Sequence, residues 1–246
     1  MRKIHELSKE YGFKIIEDAS HAVGGSYQGG KVGNCQYSDI TVFSFHPVKI
    51  ITTAEGGAAL TNSSELAAKL ALLRSHGITR NPEEMAQEPD GAWYYQQIDL
   101  GYNYRMTELQ AALGVSQMTR IDEFVARRHD LATRYDRLLA HLPLILPQRN
   151  PQNRSALHLY PAQVRADSGK TRRQVFDFLR QNGIGANVHY IPVHTQPYYR
   201  QHFGFKPGDF PAAEAYYAGA ISIPLYFGLT EAEQDKVVEA LERAFS

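Results

Sequence analysis

The chain has 246 residues with 26 basic and 26 acidic side chains, so no net charge points to a nucleic acid or an anionic membrane surface as partner. Its single cysteine, Cys35, excludes an internal disulfide framework and any multi-cysteine zinc site, and fits a reducing compartment. No apolar run is long enough to span a bilayer, and the charged opening MRKIHELSKEYG is not a secretory signal, so the expectation is a soluble cytoplasmic protein.

The chain opens on a helical pattern, with Ile4, Leu7 and Tyr11 on one face and Gly12 as the stop. Phe13 to Asp18 reads as a short β-branched strand ending in two carboxylates, in the position of a central strand. A chain entering such a strand straight from a helix looks like the later part of a domain, and the expectation is that an N-terminal portion is absent. Gly24 to Gly33 reads as a glycine-rich loop, Ser38 to Phe45 as a second strand and Gly56 to Thr61 as a third. Asn62 and Glu65 predict a capped helix with Leu66, Leu70 and Leu73 inward and Gly77 at its end. Residues 78 to 98 predict a polar surface excursion.

Thr107 and Gln110 predict another capping box, opening an apolar period that runs to Leu142. Gly114 is the expected break, separating a short helix from a long connector into a second domain. Pro147 to Asn153 reads as a loop, LHLYPAQV as a strand, and Thr171 to Gly183 as a capped helix. ANVHYI and ISIPLY read as strands, and Thr230 and Glu233 cap a last helix with Val237, Val238, Leu241 and Phe245 inward. The expected division is 1–118 and 119–246, an α/β domain followed by a small α+β domain.

Lys49, in FSFHPVKIITTAEGG, is written into apolar sequence. It reads either as a lysine whose stem packs while its amine reaches water, or as a partly desolvated amine able to form a Schiff base. Asp18 falls at a strand's carboxyl end, where open α/β sheets place ligands, and could equally be a loop cap. Glu17 is expected on the opposite face. His21 and Ser44 are unremarked singly. Together, a carboxylate for a pyridinium nitrogen, an amine for a Schiff base and a hydroxyl for a phosphate describe a pyridoxal phosphate site. GSYQGGKV approaches a P-loop nucleotide hydrolase motif but has Val32 where a magnesium-binding hydroxyl belongs. No HExxH or comparable histidine spacing marks a metal, and no G-x-S-x-G elbow marks a serine hydrolase.

IIEDASHAVGG, FSFHPVKIITTAEGG and DLGYNYRMTELQAALG, in that order, resemble the DegT/DnrJ/EryC1/StrS sugar-nucleotide aminotransferases, which are fold type I pyridoxal phosphate enzymes. The resemblance continues through VHYIPVHTQPYYR to the last helix. It implies the later part of the large mixed-sheet domain followed by a small α+β domain. It also implies Lys49 as the Schiff-base lysine and proton shuttle, Asp18 at the pyridine nitrogen, His21 near the ring, and Ser44 at the phosphate. Asn103 would reach the phosphate of a neighbouring subunit's cofactor, making a homodimer with a shared active site. Tyr190 and His194 follow as substrate candidates. L-glutamate would donate the amino group, and the acceptor would be a UDP-linked 4-keto-6-deoxy amino sugar of the pseudaminic acid type. Relatives carry an N-terminal portion with a further phosphate loop and a ring-covering aromatic, with no match here. The alternative expectation is therefore a non-catalytic remnant that dimerises or binds sugar nucleotide without turnover.

Overall fold

The computed structural model describes residues 1–246, which divide into two compact units, 1–122 with 152–156, and 123–151 with 157–246. In the first, helix α1 (Arg2–Tyr11) ends at Gly12 in the left-handed conformation and leads to β1 (Ile16–Asp18). A hairpin of β2 (Ser26–Tyr27) and β3 (Gly30–Lys31) precedes β4 (Ile40–Ser44) and β5 (Gly57–Leu60). Helix α2 (Ser64–Leu73), the short pair β6 (Ile78–Thr79) and β7 (Gln96–Gln97), and helix α3 (Glu108–Met118) follow.

The sheet order β1-β4-β5 sets the position of the site. β1 and β4 are parallel, with Asp18 opposite Val42, and β5 runs antiparallel to β4, with Gly57 opposite Ser44. β1 lies at the side of this sheet, not its centre, and its Ile16 is 68% exposed. Glu17 shares a face with its cross-strand partner Thr41, whose hydroxyl donates to Glu17 Oε2 at 3.2 Å. Ile15, Ala19, Val23, Ile50 and Ile51 form the buried apolar set around the strand ends. The face of α1 with Ile4, Leu7 and Tyr11 is exposed.

Several expectations change here. The N-cap of α2 is Ser63, whose hydroxyl accepts from the Leu66 amide, because Asn62 is engaged by the Asn34 carbonyl. The P-loop-like stretch is the β2–β3 hairpin, turning at Gln28 and Gly29 with positive φ at both, as a two-residue hairpin turn requires. Lys31 is paired with Asp122 at 2.9 Å. Gly114 does not break α3, which runs through it to Met118 behind the expected Thr107–Gln110 capping box. Glycine there serves close packing: a Cβ would lie 2.8 Å from Thr53 Cγ2.

Helix α4 (Ile121–Leu138) opens the rest of the chain, followed by β8 (Leu144–Ile145), β9 (Asn153–Arg154), β10 (Tyr160–Val164) and helix α5 (Arg172–Gln181). Helices α6 (Pro197–Phe203) and α7 (Pro211–Gly219), strand β11 (Ala220–Ile223) and helix α8 (Glu231–Phe245) complete it. β9 falls within the stretch expected to be loop and its border, and it pairs with β2 in the first unit. The second unit is an antiparallel sheet, β11-β10-β8, packed on helices through Leu131, Tyr135, Tyr160, Leu179, Ile221 and Leu241.

Arg128 is buried in this core without a carboxylate partner. It donates to the carbonyls of Leu157, His158 and Leu225 at 3.2, 3.3 and 2.8 Å, and burial pulls its pKa down to about 10. The expected strand ANVHYI reduces to one bridge, Asn187 with Ser222. The Asn187 side chain takes the Val188 amide at 2.8 Å, a local bond that competes with a ladder, and Pro192 has no N–H to extend one. α6 and α7 were not expected from the sequence. Their signals are Pro197 and Pro211 at the first helical turn and Gly204 after α6, with φ 71°.

Candidate active site

The carboxyl ends of β1 and β4 bring Asp18 and Ser44 to one edge of the first unit, the position at which α/β sheets bind ligands. Beyond Asp18 the chain turns at once. Ser20 donates to Asp18 Oδ1 twice, through its amide at 3.0 Å and its hydroxyl at 2.5 Å. These two bonds are the main reason the Asp18 carboxyl is held below the ordinary carboxylate range, with smaller contributions from the positive fields of His21 and Lys49. Asp18 is exposed in this chain, not buried as a ring-nitrogen partner is expected to be, since it ends a strand at the sheet's side. It is nevertheless an anion with one oxygen fixed by Ser20.

Lys49 sits in the loop joining β4 to β5, half-buried, just before the buried Ile50 and Ile51. Its own amide donates to the His46 carbonyl at 2.9 Å, forming a tight turn. The loop closes on Phe45: the Thr53 amide and the Thr52 hydroxyl both donate to the Phe45 carbonyl at 3.0 Å, and the Phe45 amide to Gly56 at 2.8 Å. Gly56 admits this closure because a Cβ there would run into Thr53 Oγ1 and Met106 Cε. Ser44 Oγ accepts weakly from the His46 amide at 3.5 Å, so its own proton remains available to an anion.

The structure thus brings Asp18, His21 and Lys49 within one electrostatic neighbourhood, with Ser44 on the adjoining strand end. Asn103 lies in the segment between β7 and α3. It is exposed and forms an isolated antiparallel bridge with Ser75. Tyr190 and His194 belong to the second unit. Tyr190 is 60% exposed, its ring edge-on to His189. His194 is buried, with Nε2 2.9 Å from Glu214 Oε1 and its ring against Phe210 at 4.6 Å. Glu214 also accepts from the Gly208 amide at 2.8 Å, and that bond first, then His194, holds its carboxyl below the ordinary range. His194 is therefore committed to an internal pair.

Sequence reasoning missed Ser20, Thr52 and Glu214. An Asp-x-Ser spacing, which lets a serine cap the preceding carboxylate two residues back, was the readable signal for Ser20. Glu214 carried no local signal, because its partner lies twenty residues away.

A lysine and an anchored carboxylate at the strand ends of an α/β unit stand where such sheets bind ligands. The DegT/DnrJ/EryC1/StrS aminotransferase family model matches residues 1–242, and the chain belongs to that family. It is 36% identical to the UDP-4-amino-4,6-dideoxy-N-acetyl-beta-L-altrosamine transaminase of Campylobacter jejuni, over 92% of this chain and 57% of that protein. Helicobacter pylori PseC, described as an aminotransferase involved in the biosynthesis of pseudoaminic acid, superposes with TM-score 0.89 at 32% identity, over 99% of this chain and 62% of that one. Spr1654 from Streptococcus pneumoniae, solved in a PLP-form, superposes with TM-score 0.84 at 29% identity, over 99% and 62%. The chain spans less than two thirds of the length of these relatives. The fold expected from the resemblance, that of the pyridoxal phosphate aminotransferases, is the one observed.

Proposed function

We propose that this chain carries the lysine, the ring-side carboxylate and a phosphate-side hydroxyl of a pyridoxal phosphate-dependent aminotransferase. The reaction moves an amino group from L-glutamate to C4 of a UDP-linked 4-keto-6-deoxy amino sugar of the pseudaminic acid type. The observation that carries this reading is the placement of Asp18 and Ser44 at the carboxyl ends of the adjoining strands β1 and β4, with Lys49 in the closed loop that follows β4. Family membership, the fold and the named transaminase relatives support it.

The residues fit the cofactor. Asp18 has one oxygen fixed by Ser20, leaving Oδ2 to hold a proton on a ring nitrogen. Lys49 Nζ donates no hydrogen bond within the chain, and Ser44 keeps its proton for a phosphate oxygen. When bound, the cofactor supplies an electron sink for charge developing beside nitrogen. Lys49 carries the proton to and from the sugar C4 as general base and acid, and its closed loop limits where the amine can go. Ionised Asp18 favours the protonated ring nitrogen through its opposite charge.

We assign the active form to a homodimer in the cytoplasm, with Asn103 serving the partner's site. Support comes from α3, where Leu109 is 86% exposed and Val115 and Met118 border an open apolar hollow of about 560 Å³ against Phe45 and Ile51. The free thiol of Cys35 suits a reducing compartment. No helix is long and apolar enough to cross a membrane.

The test is the visible absorption of the protein with added pyridoxal phosphate, for wild type and Lys49→Ala. A band present only in wild type, bleached by L-glutamate, is the expected result. A band of equal strength in both proteins contradicts the assignment of Lys49, and a band indifferent to glutamate marks a binding protein without turnover.

A further inference from the structure

We propose that Gln117 is a positioning residue for Lys49, holding from α3 the loop that presents the amine. The proposal rests on the reading of Lys49 given above. The loop of residues 46–55 is braced from within by the Lys49–His46 turn, by the Ala54 amide on Thr52 Oγ1 at 2.9 Å, and by the bonds to Phe45. Those bonds are all local, so they set the loop's shape but not its placement on the rest of the unit. One hydrogen bond reaches it from another element: the Thr52 amide donates to Gln117 Oε1 at 2.9 Å, across 65 residues of sequence.

Gly114, one helical turn before Gln117, completes the device. A Cβ at position 114 would lie 2.8 Å from Thr53 Cγ2, so the glycine lets the helix come close enough for the amide to reach. Two neighbouring positions of one helix therefore meet two consecutive threonines, three and four residues past Lys49. The buried Ile50 and Ile51 join that anchor to the lysine. A part-buried amide that loses its acceptor is left unpaired, and a loop so released presents its side chain in a wider range of positions. The hydrogen bond of Gln117 is to the Thr52 amide, so it acts on Lys49 through the loop.

The test uses the full chain, in wild type, Gln117→Met, Gln117→Glu and Gly114→Ala, with two readouts. One is hydrogen exchange at the Thr52 amide. The other is pyridoxal phosphate affinity from titration of the visible band. Gln117→Met should lose about tenfold in Thr52 protection, the worth of one part-buried hydrogen bond, and weaken cofactor affinity several-fold. Gln117→Glu keeps an acceptor at the same reach and should restore both. Gly114→Ala keeps the amide but pushes the helix off Thr53, and should reproduce the loss. If Gln117→Met does not fold, Gly114→Ala and Gln117→Glu decide the matter. Wild-type protection and affinity in Gln117→Met, or a folded Gln117→Glu as weak as Gln117→Met, would overturn the proposal. If wild type forms no visible band, the reading of Lys49 fails and the positioning role falls with it. Thr52 exchange then still reports whether the pin itself exists, which separates the two failures.

Discussion

The two units of this chain spend their sequence differently. The second unit buries its large side chains: Tyr135, Leu139, Leu179 and Leu241 have almost no exposed surface, and its buried arginine donates through Nη1 to three backbone carbonyls. The first unit has short strands and a thin apolar core, and it leaves Ile4, Leu7, Tyr11, Leu100, Tyr104 and Leu109 in solvent. Yet the first unit holds Asp18, His21, Ser44 and Lys49. The densest core and the candidate site thus fall in separate units, and the unit with the candidate site gains local order from hydrogen bonds at Asp18 and around the Lys49 loop.

That contrast can be broken most sharply by Lys49→Ala. It should abolish the cofactor band while leaving the unfolding of the second unit unchanged, read by absorption and by calorimetry on one sample. The converse change, Leu241→Ala, should cost about 2–5 kcal/mol in denaturant unfolding of the second unit. The band should persist at temperatures where that unit remains folded. Arg128→Met removes the donor to three buried carbonyls and should cost on the order of 2 kcal/mol in the same unfolding measurement.

A pH experiment sharpens the same contrast. The carboxyl of Glu214 is depressed in the folded state, so the stability it contributes is fully present above the ordinary glutamate pKa. That stability is lost as pH falls through the lower folded value. The protection factor of the Gly208 amide, its exchange corrected for the intrinsic pH dependence, should therefore fall as pH drops below about 4.5. Glu214→Gln should remove that acid step. The smallest effect is expected at Leu109. Leu109→Gln should alter monomer stability by no more than about 0.5 kcal/mol, because the side chain is already exposed. It should weaken self-association in sedimentation experiments if α3 is the dimer face.

Legibility in the sequence followed the same division. Helices with capping boxes at Thr107, Thr171 and Thr230 were readable because their signals are local and the hydrogen bonds are made within four residues. Gly114 was misread because glycine is equally the mark of a helix end and of close packing, and only Thr53, far off in sequence, decides between them. β9 was missed because a two-residue strand has no period, and its partner β2 lies more than 120 residues away. In the candidate site, motif wording singled out Asp18 and Lys49 as expectations. The depth of Asp18 was not, since burial depends on which strands flank β1. The pairing of His194, expected as a substrate candidate, with Glu214 had no signal in its local sequence.

The central claim is that Lys49 is the amine that takes the cofactor. Incubation with pyridoxal phosphate, reduction with borohydride and peptide mass mapping tests it directly. The account predicts a stable pyridoxyl mass on the peptide containing Lys49, absent after Lys49→Ala and well above any labelling of the surface lysines. Labelling spread evenly over the lysines, or unchanged by Lys49→Ala, would contradict it.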